Sequence, residues 1–148
     1  LAVAYGNMKL ELFSVEGCNR LGNLPPTTKP VNQLTFSPDD QYLVTAETDT
    51  SAQIFKVTIL ESLYKLIPDF SRNGLYTAIY NPDQTLLAVG SYEGILTIWN
   101  VNSRELLLRS TIGSDDNPIT TLLFSKDGTQ LFACLKDKTC LILGLSAN

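Results

Sequence analysis

The sequence contains three segments of 27 residues that align without a gap, and this internal repeat limits the folds open to the chain. The segments cover residues 31–57, 75–101 and 119–145, so each copy is shifted from the previous one by 44 positions. Repeats of this length form supersecondary units that stack on their neighbours and bury a shared core. The repeat therefore predicts an array of similar modules.

Each copy is predicted to contain three strands and two turns. An aromatic residue ends the first strand, and the turn after it contains an aspartate, whose side chain bonds its own backbone and starts a reversal. A leucine opens the second strand, an acidic residue marks the second turn, and an isoleucine lies at the centre of the third strand. We assign the recurring aspartates to turn formation, because a residue that recurs in every copy serves the fold. In chain order these columns hold Phe36, Tyr80 and Phe124; Asp39, Asp83 and Asp127; Leu43, Leu87 and Leu131; Asp49, Glu93 and Asp137; and Ile54, Ile98 and Ile142.

The segments between the copies add a fourth strand to each unit. Residues 19–24, 61–67 and 105–112 each hold one further strand candidate, and residues 1–15 match the second half of a copy. The unit is therefore four short strands in 42–44 residues, which is the pattern of a β-propeller blade. Segments such as TLLAVGS and TCLILGL are apolar on both faces, as in a sheet covered on both sides. A two-sheet sandwich is the competing fold, but it does not require a gapless repeat.

We predict an all-β fold, a partial β-propeller of about three and a half four-stranded blades in one domain over residues 1–148. Residues 1–24 form an incomplete blade, 31–67 and 75–112 form complete blades, and 119–145 form a last blade that lacks its outer strand. An open arc of this kind exposes large apolar blade faces. We therefore expect the remainder of the same propeller, in the same polypeptide or in a second chain, to complete it.

The motifs resemble those of WD-repeat proteins over essentially the whole chain. The stretch LTFSPDDQYLVTAETDTSAQIFKV is similar to the strand–turn–strand core of that family, and LLAVGSYEGILTIWNV ends in Trp99-Asn100 where the family usually has Trp-Asp. Other propellers with a similar turn are the alternative. The family's hydrogen-bonded tetrad of Trp, Ser or Thr, His and Asp is incomplete, because the chain contains no His. The tetrad positions that can be compared hold Thr45, Asp49 and Phe55 in the first copy and Val89, Glu93 and Trp99 in the second.

The resemblance implies the C-terminal half of a propeller that acts as a non-enzymatic scaffold for protein–protein interactions in an intracellular complex. Its partners would bind the end that carries the loops between successive units and the turns between the second and third strands. Tyr92 is the leading candidate there, because its column holds Thr48 and Lys136 and does not demand an aromatic residue. Arg72, Lys136 and Lys138 are candidate rim contacts at the same end. Incidental exposure of Tyr92 and solvated charges are the alternatives.

The residue types argue against catalysis and against bound cofactors. Without His there is no Ser-His-Asp or Cys-His arrangement, and neither GxGxxG nor GxxxxGK[ST] occurs as a phosphate cradle. We predict no enzyme activity, no cofactor and no metal, and we assign Asp115 and Asp116 to a solvated loop. The alternatives are a propeller that reads peptide motifs and a propeller enzyme such as a lactonase.

Charge and cysteine content limit the partners and the compartment. The net charge is −4 and the 11 Lys and Arg residues are scattered, which argues against a nucleic-acid partner. No run of 18 apolar residues predicts a membrane-spanning helix, and we expect no membrane partner. The three cysteines lack a paired spacing and indicate reduced thiols in the cytoplasm or nucleus. A disulfide between Cys134 and Cys140 across one hairpin is the alternative.

Overall fold

A computed structural model describes residues 1–68 and 73–145, which form fourteen β-strands and no helix. These residues therefore include no helix that could span a membrane. The predicted all-β class is confirmed. The strands are β1 (Ala2–Ala4), β2 (Leu10–Phe13), β3 (Arg20–Leu24), β4 (Val31–Phe36), β5 (Tyr42–Glu47), β6 (Ala52–Lys56), β7 (Glu61–Leu66), β8 (Leu75–Tyr80), β9 (Leu86–Ser91), β10 (Ile95–Asn100), β11 (Leu106–Thr111), β12 (Ile119–Phe124), β13 (Gln130–Leu135) and β14 (Cys140–Gly144).

The strands form four antiparallel meander sheets in chain order, which is the arrangement of a partial β-propeller. We call the sheets blades: blade 1 is β1–β3, blade 2 is β4–β7, blade 3 is β8–β11 and blade 4 is β12–β14. Strands a to d are the strands of a complete blade in chain order. The predicted starts of strand a at Val31, Leu75 and Ile119 are confirmed.

Each pair of consecutive blades encloses its own hydrophobic cluster. Adjacent residues of one strand point to opposite faces, so Ile54 and Phe55 of β6 enter different clusters. Phe55 packs with Leu10 and Leu12 of blade 1, whereas Ile54 packs with Leu75 of blade 3. Blade 2 is therefore buried on both faces, as the apolar strand sequences predicted. A third cluster lies between blades 3 and 4.

The turns between strands a and b repeat one geometry in blades 2, 3 and 4. Asp39, Asp83 and Asp127 each accept the backbone N–H two residues later, at 3.0, 2.9 and 3.1 Å. Side-chain hydroxyls of Ser37, Thr85 and Ser125 also donate to these carboxylates and lower their pKa. The residue that follows each aspartate has a left-handed backbone, with φ of 58° at Asp40, 64° at Gln84 and 73° at Gly128. The assignment of the three aspartates to turn formation is confirmed.

The outer face of blade 4 is apolar and open in the described residues. Leu123, Phe132 and Ile142 lie opposite one another across β12, β13 and β14. Their counterparts 44 positions earlier, Ile79, Ala88 and Ile98, pack under blade 4. Ile98 is 3% exposed, whereas Ile142 is 62% exposed. The same repeat position thus has two different environments, because within the described residues another blade packs on blade 3 but none packs on this face of blade 4.

We predict that Ile98→Ala lowers the free energy of unfolding by about 2–5 kcal/mol, since it leaves a cavity between two blades. Ile142→Ala, at the matched position of blade 4, should cost less than about 0.5 kcal/mol. Urea unfolding followed by Trp99 fluorescence, at low protein concentration, measures both values. Equal losses for the two variants would contradict the difference between the two faces.

Candidate protein-interaction surface

The turns between strands b and c lie at one end of the blades, and a recurring backbone hydrogen bond fixes their start. The N–H groups of Thr48, Tyr92 and Lys136 donate to the carbonyl groups of the residues just before strand a, at 3.0, 3.2 and 3.1 Å. Those acceptors are Pro30, Gly74 and Pro118, spaced like the repeat itself. The backbone at this column is therefore the same in three blades, while its side chain differs in each. We call this end of the blades the b–c surface.

Gly74 allows two blades to approach closely at this end. A Cβ atom at this position would lie 2.8 Å from the backbone of Thr48, and the residue has φ of 101°. Both features require glycine. The b–c turn of blade 2 therefore rests directly on the start of strand a in blade 3, next to Tyr92.

Acidic residues of the b–c turns make a second link to the loop that precedes strand a. Asp49 accepts from the hydroxyl of Thr28 at 2.6 Å, and the carboxylate of Glu93 accepts the N–H of Asn73. In blade 4 the direction is reversed, because the Asp137 N–H donates to Asn117 Oδ1 at 3.0 Å. These links hold the turn and the loop together, so that the b–c surface is a preorganised set of loops.

Tyr92 lies half-buried on this surface, against a second tyrosine. The ring of Tyr76, on strand a of the same blade, lies 4.9 Å from it between centroids, with 52° between the planes. Such a tilted pair favours one ring orientation. The pair therefore offers a fixed aromatic contact, which the neighbouring blades do not share because their b–c columns hold Thr48 and Lys136.

The structure describes two of the three basic residues that were predicted as candidate contacts. Lys136 and Lys138 are both exposed in the b–c turn of blade 4, where Lys138 has a left-handed backbone with φ of 72°. Arg72 lies outside the described residues. A role in binding stays a prediction for Tyr92 and for all three basic residues.

A buried carboxylate underlies the surface in blade 2, and the sequence analysis missed it. Glu47 is 0% exposed and accepts from the hydroxyl of Thr45 at 2.9 Å. The ammonium group of Lys65 lies 3.7 Å from Glu47 and donates to Thr28 at 2.9 Å. A single charge at the end of the otherwise uncharged strand β5 was the available signal. This network links strands b and d to the loop before strand a.

Thr45 and Asp49 occupy positions that belong to the family's tetrad, but here they form other hydrogen bonds. Thr45 bonds Glu47, and Asp49 bonds Thr28 and Ser51. In blade 3 the indole N–H of Trp99 donates to its neighbour Thr97 at 3.0 Å. Trp99 packs partly buried against the cluster between blades 2 and 3.

The oxidation state of the two cysteines in blade 4 differs from the prediction. Cys134 and Cys140 lie directly opposite each other on β13 and β14, and their sulphur atoms form a disulfide. The interpretation of all three cysteines as reduced thiols is therefore wrong for this pair, whereas Cys18 is free and exposed. The sequence could not decide the matter, because the register of the hairpin determines whether the two side chains face each other.

The described residues also show where the acidic loop side chains lie. Asp115 and Asp116 are exposed at the tip of a loop that a bridge between Ser114 and Asn117 closes. Within residues 1–68 and 73–145, no three His, Cys, Asp or Glu side chains are grouped so that they would hold a metal ion.

We predict that Glu47→Gln changes the pH dependence of stability. Burial raises the pKa of Glu47 above its ordinary value of 4.5, against the opposing effects of Thr45 and Lys65. The folded state therefore holds the proton more tightly than the unfolded state. This contribution to stability is present below about pH 4.5 and is lost as the pH rises through the folded pKa.

The variant cannot lose that contribution, so its stability relative to the wild type should rise as the pH increases from about 4.5 through the folded pKa. Urea unfolding at several pH values measures the difference. The exposed Glu61→Gln serves as the control for the loss of one negative charge. A difference between Glu47→Gln and wild type that is constant with pH would contradict the prediction.

Comparison with known proteins places these blades in a family. A family model described as "WD domain, G-beta repeat" matches residues 18–56, 65–100 and 106–142. Each matched segment begins near strand d of one blade and ends near strand c of the next, so the sequence repeat is offset from the sheet by one strand.

Three relatives illustrate how far the similarity extends. The human F-box-like/WD repeat-containing protein TBL1Y is 41% identical over 63 residues, which cover 43% of this chain and 12% of that protein. Rat Jouberin is 28% identical over 107 residues, covering 70% of this chain and 10% of its own length. Minichromosome loss protein 1 of Schizosaccharomyces pombe is 31% identical over 93 residues, covering 62% and 11%.

The matches thus span about a tenth of the length of these relatives. The family model covers well over half of the present chain, in three successive repeats that coincide with strands of the blades. The chain belongs to the WD-repeat family.

Proposed function

We propose that the chain is part of a non-enzymatic scaffold that binds other proteins in an intracellular multiprotein complex, through the b–c surface. The observation that carries this proposal is the repeat position that holds Thr48, Tyr92 and Lys136. Its backbone is fixed by the same hydrogen bond in three blades, while its side chains differ. A rigid backbone lowers the entropy cost of binding, and variable side chains allow specificity.

The individual side chains suit a protein partner. Tyr92 has a preferred ring orientation through its contact with Tyr76 and keeps part of its surface accessible. Tyrosine is enriched among the residues that dominate binding energy at protein interfaces. Lys136 and Lys138 lie at the same end of the next blade and would contribute attraction for an acidic rim. Arg72 belongs to the same proposed set.

A cytoplasmic or nuclear location is part of the proposal. The name of the fission-yeast relative refers to minichromosome loss, which supports a nuclear site.

We predict that Tyr92→Ala reduces the amount of partner proteins recovered with the tagged protein from its own cells by at least about tenfold. That change corresponds to about 1.4 kcal/mol of binding free energy. Quantitative mass spectrometry measures recovery, and the melting temperature of the variant should match that of the wild type. The control is Lys126→Ala, in the a–b turn of blade 4 at the opposite end. Unchanged recovery with Tyr92→Ala would contradict the proposed surface.

We propose further that other blades cover the outer face of blade 4. The open row of Leu123, Phe132 and Ile142 repeats a row that blade 4 itself covers on blade 3. The edge of β14 also carries exposed Leu141 next to Ile142, and an apolar strand edge is a template for further pairing. The remainder of a propeller, in the same polypeptide or in a second chain, fits both features.

We predict that residues 1–148 expressed alone self-associate at micromolar concentration, because an uncovered blade exposes its apolar face. Ile142→Lys should reduce this association, as measured by analytical ultracentrifugation. Leu21→Lys is a matched control, since Leu21 on blade 1 is 62% exposed, as is Ile142. A compact monomer of the unmodified segment would contradict the prediction.

A further inference from the structure

A groove lies between blades 2 and 3 at the end opposite the b–c surface. It has a volume of about 490 Å³ and is formed by the a–b and c–d turns of blade 3 together with strands β5, β6, β7 and β8. Tyr42, Tyr64, Tyr80 and Arg104 line it, with Asp83 and Gln84 at the turn. The groove is thus aromatic on its walls and carries a cation at one side.

Tyr80 carries a hydroxyl that the fold does not need. The residue is 8% exposed, and its hydroxyl has no hydrogen-bond partner among the described residues. Burying an unpaired polar group is costly. The repeat uses Phe36 and Phe124 at the same position of blades 2 and 4, so a phenylalanine would pack here without that cost. The hydroxyl is therefore a candidate for contact with a ligand in the groove.

Arg104 also departs from the repeat, in the c–d turn. Its counterpart in blade 2 is Leu60, and both residues have a left-handed backbone, with φ of 62° and 56°. The guanidinium of Arg104 stacks on the ring of Tyr64 in blade 2, 4.2 Å from the centroid. No carboxylate in residues 1–68 and 73–145 lies within salt-bridge distance of it. The stacked guanidinium keeps its N–H groups available to a ligand.

The carboxylates near the groove already have donors. Asp39 accepts from Ser37 and from the backbone of Gln41. With the oxygen and nitrogen of its side-chain amide exchanged, the orientation that satisfies both atoms, Gln84 donates to Asp39 at 2.9 and 3.1 Å. Asp83 accepts twice from Thr85. Two donors of the groove, the Arg104 guanidinium and the Tyr80 hydroxyl, therefore lack an acceptor side chain among the described residues. Together they favour a ligand that accepts hydrogen bonds.

We propose that this groove binds an extended segment of a partner protein through a Glu or Asp side chain, whose carboxylate pairs with Arg104 and accepts from the Tyr80 hydroxyl. The rings of Tyr42 and Tyr64 pack against apolar atoms of the segment. A carboxylate carries one negative charge, whereas a phosphate carries about −1.5 to −2 and is repelled more strongly by Asp39 and Asp83. The proposal rests on the protein-binding function but places a second site at the other end of the blades.

The test uses the full chain carrying Ile142→Lys, which limits self-association and lies outside the groove. The protein contains ring-labelled tyrosine and is titrated with a panel of acetylated, amidated pentapeptides. Each peptide has a central Glu between apolar residues, and each has a Gln and a phosphoserine counterpart. Titration followed by NMR should shift the signals of Tyr42, Tyr64 and Tyr80 with the Glu peptides. The Gln and phosphoserine counterparts should bind at least about tenfold more weakly, a change of about 1.4 kcal/mol.

Two variants replace each donor with the residue that the repeat itself uses. Tyr80→Phe and Arg104→Leu should each weaken binding of the Glu peptides at least about tenfold. Tyr80→Phe should keep or raise the melting temperature, because it removes an unpaired buried hydroxyl. A lower melting temperature for Tyr80→Phe would show that the hydroxyl is structural and would overturn its assignment to the ligand.

The remaining outcomes also decide the proposal. Absence of Glu-dependent shifts at about 1 mM peptide overturns it, and so does equal or tighter binding of the Gln or phosphoserine peptides. Tyr92→Ala should bind the Glu peptides as the wild type does. Failure of peptide binding would therefore leave the b–c surface standing, and failure of the Tyr92 experiment would leave the groove standing.

Discussion

The structure depends on one constraint, which is that a blade between two neighbours must bury both of its faces. Ile54 and Phe55 show the constraint most directly, because these adjacent residues are 1% and 0% exposed in two different hydrophobic clusters. Stability therefore resides in the contacts between blades. Side-chain hydrogen bonds add to them, as Asn32 donates to the Leu75 carbonyl at 2.6 Å and Gln33 accepts the Ala78 N–H at 2.9 Å. An outermost blade lacks half of this stabilisation.

The turns also repeat from blade to blade, and the feature that repeats is their backbone conformation. Left-handed residues recur at matched positions, as at Leu60 and Arg104 and at Thr50, Gly94 and Lys138. Glycine would adopt this conformation without strain, but most of these positions hold other residues. The geometry is therefore maintained by the surrounding hydrogen bonds, and the side chain is released from a structural role. Turn positions can then differ from blade to blade without altering the fold.

The gapless repeat was sufficient to predict the strands, the aspartate turns and the two-sided burial, because these depend on local pattern and on identity between copies. It could not reveal contacts that depend on how one blade is set against the next. The stacking of Arg104 on Tyr64 joins two blades, and the Glu47 network joins two strands and a loop. The pairing of Cys134 with Cys140 required the register of one hairpin. The position of Tyr92 was predictable, but its contact with Tyr76 was not.

Departures from the repeat are consequently more informative than the repeat. Where three blades share a backbone, the common residue reports what the fold requires, and the exceptional residue has to be explained by something else. Tyr80, where blades 2 and 4 have phenylalanine, adds a hydroxyl without a hydrogen-bond partner among the described residues. Arg104, where blade 2 has Leu60, adds a cation without a carboxylate partner in that part of the chain. Glu47, whose counterparts are Ser91 and Leu135, shows the other resolution, because its charge is compensated within the chain by Thr45 and Lys65. A buried polar group with partners in the chain is accommodated by the fold, whereas one without them indicates a ligand.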